Sequence, residues 1–192
     1  MTRHLLIVGA AAAALTLAAC NRQTETPTDA TAMPDANPAA TVPTPADEAA
    51  APDFVTKAAA SNMFEIQAAQ LAVNRSNDDQ VKAFAQQMID DHTKAGNDLQ
   101  AAIAQSGQNL TMPTALPQDM QDKLNDLQQA SAEDFNRAYV TGQVDAHQAT
   151  LDLLKRYAED GDEPALKTFA ANTGAVVQQH YDKAKAMQDA MQ

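Results

Sequence analysis

An all-α fold, a four-helix bundle with one additional short helix behind a disordered tether, follows from three features of the 192-residue sequence. Alanine fills 42 positions, aromatics make up 4% and there are six glycines, a mix that favours helices and deprives a sheet of the residues it packs with. Beyond residue 53, apolar residues recur at intervals of three and four, the helical period. Gly107, Pro113, Pro117, Gly161 and Pro164 break that period, so it resolves into separate helices and not the unbroken heptads of a coiled coil.

Phe54, Ala58, Ser61, Glu65, Ala68 and Ala72 share a face and predict a helix over 53–74, ended by a turn and cap at Ser76-Asn77-Asp78. Val81, Phe84, Met88, His92, Ala95, Leu99 and Ile103 extend the pattern over 78–105, up to Gly107. Met112-Pro113 and Leu116-Pro117 exclude helix in the next stretch. Met120, Leu124 and Leu127 mark a short amphipathic piece, and Ser131 with Asp134 three residues on resembles a capping box. Phe135, Tyr139, Gly142, His147, Leu151, Leu154 and Ala158 then run to Gly161. Pro164 opens the last helix, which Leu166, Phe169, Ala170, Val176, Val177, His180, Ala184, Met187 and Met191 continue. Residues 53–192 therefore form one bundle domain.

The leader reads as targeting. Arg3 and His4 precede an apolar run from Leu5 to Leu17, and Leu17-Ala18-Ala19-Cys20 has the form of a bacterial lipobox. Residues 1–19 are expected to be a lipoprotein signal peptide and Cys20 the lipidated first residue of the mature chain, since the apolar run is too short to span a bilayer. Asn21 is not the aspartate of an inner-membrane retention signal, which favours the periplasmic face of the outer membrane in a Gram-negative bacterium. In residues 21–52, 21 of 32 positions are Pro, Ala or Thr; with Cys20 they make a tether that buries too little surface to order. The membrane, through the lipid anchor, is the expected partner. A net charge of −12 argues against nucleic acid, and a lone cysteine excludes both an internal disulfide and a cysteine zinc cluster.

Three histidines interrupt the apolar seams, each on a different helix: His92, His147 and His180. Glu65 occupies a comparable position among small residues on the first helix. Counted at about 1.5 Å per residue from the loops, all four lie near mid-height, within about one turn of one another. Three imidazoles and a carboxylate form a donor set for zinc, copper, iron or manganese. The same residues suit a buried hydrogen-bonded network in which Glu65 accepts from one or two histidines and fixes helix register, which is the first expectation, with the metal as the alternative. Met88, one turn before His92, is either packing or a soft ligand.

Several segments resemble the bacterial domain of unknown function 4142 family: Asp53-Phe54-Val55, Phe64-Glu65-Ile66, Val81 to Ala85 with Met88 and Asp91-His92, Phe135 to Val140 with Gln143 and His147, and Leu166 to Ala170 with His180. The resemblance implies a ferritin-like bundle, commonly exported or lipid-anchored, with no established activity. Its pattern coincides with Glu65, Asp91, His92, Tyr139, His147 and His180, and departs at Asn136, where the family has an acidic residue, and at Gly174, where it has a proline. Gly174 is expected to keep a kink that aims His180 inward. Asp91, Tyr139 and Gln143 are expected to support the Glu65, His92, His147 and His180 cluster from a second layer.

Di-iron oxidation needs Glu-x-x-His pairs, but Ile89, Val144 and Val177 stand three before the histidines. A hydrolase lacks its nucleophile elbow. The expectation is thus a non-enzymatic envelope or stress-related binding protein, or alternatively a mononuclear metal-binding protein of the zinc or copper class holding one transition-metal ion.

Overall fold

The computed structural model describes residues 49–192; the expected signal peptide, Cys20 and all but the last four residues of the expected tether lie outside them. Among the described residues five helices follow in order: α1 Ala51–Arg75, α2 Asp79–Ser106, α3 Gln118–Gln129, α4 Phe135–Asp160 and α5 Pro164–Ala190. Each long helix begins and ends for a local reason. Pro52 sits in the first turn of α1, where its missing N–H is not needed, so the helix starts two residues before the position the sequence suggests. The Asp78 carboxylate caps α2 by accepting from Gln80 N–H at 2.7 Å and Val81 N–H at 3.1 Å, and Gly107 ends that helix at φ 67°, a left-handed conformation natural to glycine. Glu163 accepts from Ala165 N–H at 3.2 Å to cap α5. Ser131 accepts from Asp134 N–H at 3.1 Å and donates to the Asp134 carboxylate at 2.8 Å, so the expected box forms around a single turn and α4 starts just after it.

Two apolar clusters set the helix directions. The C-terminal half of α1 (Phe64, Ala68, Ala72) packs with the N-terminal halves of α2 (Val81, Phe84, Met88) and α4 (Phe135, Tyr139, Val140) and with Ala184 near the end of α5. At the other end, Phe54 and Val55 of α1 meet Leu99 of α2, Leu154 and Tyr157 of α4, and Leu166 and Phe169 of α5. Hence α1 and α5 run one way and α2 and α4 the other. The packed pairs α1–α2, α2–α5, α5–α4 and α4–α1 close a ring of antiparallel neighbours. Because α2 and α4 are parallel, residues 107–134 carry the chain from one end of the bundle to the other. One such long crossover is the connection found in ferritin-like bundles.

The crossover contains α3, which packs on α1 and α4. Arg75 fastens it, donating to the carbonyls of Leu127 (3.1 Å), Gln128 (2.6 Å) and Ala130 (2.7 Å), which lie at the end of α3. The guanidinium also lies 4.5 Å from the Phe135 ring centroid, a cation–π contact.

The expected kink at Thr173-Gly174 is absent: α5 is helical without interruption from Pro164 to Ala190. A glycine costs about 1 kcal/mol in a helix relative to alanine, but it keeps its N–H, so the ladder survives where the family's proline would break it. An added methyl at Gly174 would meet Leu154 Cβ at 3.9 Å, ordinary contact, so α5 stays straight against α4. Val176, placed on the inner face by its spacing, is exposed; its neighbour Val177 takes the core position.

Candidate functional site

Between the two apolar clusters lies a polar layer. On α1 it contains Ser61, Asn62 and Glu65, on α2 Asp91 and His92, on α4 Gln143 and His147, and on α5 His180. Glu65, Gln143, His147 and His180 are almost completely buried, and His92 nearly so. The layer exists because each long helix places at least one polar residue where its inward stripe passes from one cluster to the other, and helices of similar length put those positions at one height.

Each imidazole has one nitrogen engaged by an oxygen acceptor. His147 Nδ1 lies 2.8 Å from the Gln143 carbonyl oxygen, which can only accept, so Nδ1 carries the proton. His180 Nε2 lies 2.9 Å from Asp91 Oδ2 and donates to it. His92 Nδ1 lies 3.0 Å from Asn62 Oδ1 and donates to that amide oxygen. A neutral imidazole has one N–H and one lone pair, so the remaining nitrogens, His92 Nε2, His147 Nε2 and His180 Nδ1, are acceptors. All three are buried without a hydrogen-bond partner. The rings offer ligand nitrogens within 4.8 Å of one another, with ring centroids 5.5–5.7 Å apart.

Burial keeps these rings neutral. It pushes His92 down to about 3, helped by the neighbouring His147 and His180. His147 is lowered to about 4, burial again dominating over the Gln143 carbonyl that favours its charged form. His180 is also lowered by burial, against the opposing pull of Asp91.

Glu65 is not part of the nitrogen group. It stands behind His147: its Oε2 accepts from Gln143 Nε2 at 2.6 Å, and its Oε1 is 3.7 Å from His147 Nδ1. That nitrogen already gives its proton to the Gln143 carbonyl, so Glu65 accepts from an amide and not from a histidine. Burial raises Glu65 to about 8, which makes the contact with His147 one between two neutral groups at pH 7. Tyr139 is held far above its usual range by burial and then by Glu65, and its hydroxyl is buried without a partner. Met88 belongs to the upper apolar cluster. Asn136, the departure from the family's acidic residue, bonds Asn77 at 3.0 Å on the surface, away from this layer.

Asp91 links the layer to the surface. Its Oδ2 also accepts from Gln87 Nε2 at 3.3 Å, and Gln87 Oε1 accepts from Lys183 Nζ at 2.9 Å. Asn62 is the residue that sequence reasoning misses. It lies three before Glu65, on the same side of α1, and its amide reaches α2 where Gly96 leaves space: a methyl at 96 would come within 3.1 Å of Asn62 Nδ2. A small residue four after His92 was the available signal, but it acquires meaning only once the register of α1 against α2 is known.

A family model for a domain of unknown function, DUF4142, matches residues 36–187. Neither the curated proteins nor the solved structures contain a match to this chain.

Proposed function

The chain belongs to the DUF4142 family, and we propose that its bundle binds one divalent transition-metal ion, zinc or copper, through His92 Nε2, His147 Nε2 and His180 Nδ1. The observation that carries this is the orientation of the three rings. Each has one nitrogen fixed by an oxygen acceptor and the other left as a buried bare lone pair, and each ring offers a ligand nitrogen within 4.8 Å of the other two. Second-layer bonds of this kind set the tautomer and ring direction of metal-bound histidines. A network held together only by hydrogen bonds is the poorer account, because the three free nitrogens are all acceptors with no donor among them, and unsatisfied buried acceptors are costly.

The donor set narrows the ion. Neutral imidazoles suit zinc and copper better than calcium or magnesium, which take oxygen ligands. A divalent ion in a buried layer needs compensating charge; Asp91 against His180 supplies one carboxylate, and Glu65, neutral at pH 7 without the ion, supplies a second by releasing its proton when the ion enters beside His147. The three rings must close slightly, since nitrogens around a tetrahedral zinc at about 2.0–2.1 Å sit about 3.4 Å apart. The paired glutamates and Glu-x-x-His motifs of a di-iron centre are not found around these rings.

The wider reading is of a non-enzymatic binding protein, lipid-anchored at Cys20 on the periplasmic face of the outer membrane. The lipobox sequence supports the anchor, and the placement of Glu65 behind a ring, away from the free nitrogens, supports binding over acid–base chemistry.

The test is metal analysis of untagged protein after equilibration with zinc or copper(II) and removal of excess ion. One ion per chain is expected, with binding lost on His147→Ala and on His180→Ala. Failure to retain either ion, or retention unchanged in both variants, refutes the reading.

A further inference from the structure

The three histidines are one donor short of the coordination that zinc or copper(II) takes. Zinc is almost always four-coordinate in proteins, and a site with three protein ligands keeps water or another exogenous group in the fourth position; copper(II) takes a tetragonal set. Among the described residues the donor group consists of His92, His147 and His180, and no carboxylate joins them. The oxygens beside the rings are committed elsewhere. Glu65 Oε2 accepts from Gln143 Nε2 at 2.6 Å, and its Oε1 lies 3.7 Å from His147 Nδ1. Asp91 Oδ2 accepts from His180 Nε2 at 2.9 Å, and Asn62 Oδ1 accepts from His92 Nδ1 at 3.0 Å. Each of these residues thus stands against the N–H of a ring and not against its free nitrogen, and would have to leave that ring to reach the ion. Met88 belongs to an apolar cluster.

The layer is also short of hydrogen-bond partners in a way that solvent repairs. Glu65 Oε1, Gln143 Oε1 and the Tyr139 hydroxyl are buried without a partner, whereas buried polar groups are bonded as a rule, to ordered water where the protein supplies nothing. Tyr139 and Gln143 also line a cavity bounded by α1, α3 and α4, and the Gln143 carbonyl accepts from His147. The cavity thus comes within one residue of a ligand ring, a short way for a species of a few atoms. Charge decides which species compete with water. An anion in the fourth position touches the ion, while Asp91 and Glu65 act on it across a ring, and Coulomb attraction falls with distance. Resting on the metal reading above, we infer that the bound ion keeps an open fourth position, filled by a water molecule that exchanges for one small monodentate anion.

The test uses the purified full chain carrying Cys20→Ser, so that no thiol competes for copper, loaded with copper(II), freed of excess ion and titrated with sodium azide. A saturable azide-to-copper charge-transfer band reaching one azide per ion is expected, with the copper content unchanged after dialysis. Band and copper should be lost together in His147→Ala; a band that survives there reports copper elsewhere on the chain and overturns the inference. Copper retained with no azide band means a centre closed by the protein, which overturns the inference and leaves the metal reading standing. If the band then appears in Glu65→Gln, Glu65 is the ligand that closed the centre. Azide that strips the copper instead of binding to it overturns the inference equally. Where the chain retains zinc and not copper, cobalt(II) in place of zinc reports azide in the same way. Failure to retain any of these ions is the failure of the metal reading itself, and the inference falls with it.

Discussion

Metal-free protein should be most stable near pH 6.5 and lose stability on both sides, for opposite reasons that the buried layer supplies. Glu65 is raised from 4.5 to about 8. Above pH 4.5 the unfolded chain releases this proton while the folded protein keeps it, so its contribution is complete below 4.5 and is lost as pH rises toward 8. His92 and His147 are lowered from 6.5 to about 3 and about 4, and His180 is lowered as well. Below pH 6.5 the unfolded chain takes up protons that the folded rings refuse, so stability falls as pH drops. Between 4.5 and 6.5 the histidines outnumber the glutamate and the net slope is upward; above 6.5 only the glutamate acts. From pH 6.5 to 8 the loss is about 1.5 pKa units, or about 2 kcal/mol, and for a domain of this size about 5–8 °C in Tm. Urea or thermal melts in chelator from pH 4 to 9 measure the profile, and Glu65→Gln isolates its alkaline arm. That variant keeps an oxygen for Gln143 Nε2 and cannot ionise, so its stability should stay level between pH 6.5 and 8 while its acid arm is unchanged. An alkaline arm equally steep in Glu65→Gln would refute the assignment of that arm to Glu65.

Two further outcomes test the support of the site and the anchor. Gly96→Ala brings a methyl within 3.1 Å of Asn62 Nδ2; it should leave the fold intact, because alanine is the better helix former, yet weaken zinc by about tenfold, within the range for loss of a second-layer partner, as read by competition with a chelating dye. Unchanged affinity would remove Asn62 from the account of His92. Cys20→Ser should move the protein from the membrane pellet to the soluble fraction and lower its mass by the acyl groups; unchanged membrane association would refute the lipobox reading.

What the sequence revealed, and what it hid, divides along a physical line. Helical period and rise are backbone properties, so Glu65, His92, His147 and His180 could be placed on inward faces at one height before any coordinate existed, and the three histidines do meet there. Which atom each residue offers is a property of side-chain direction and of neighbours on other helices. Glu65 shows the difference. Its height is right, but it projects behind His147 to the Gln143 amide, and no count along α1 distinguishes that from a place among the ring nitrogens. Asn62 was hidden for the same reason, since its role depends on facing Gly96 across a seam. Gly174 errs in the other direction: a weak local preference for bending gives way to packing along the whole of α5, and His180 reaches the layer from a straight helix. The three rings are therefore aimed not by distortion of their helices but by three separate oxygen acceptors, a backbone carbonyl, an amide and a carboxylate. A site oriented in this way needs no strain in the bundle, and an ion bound there as proposed would meet ligands whose tautomers are already set.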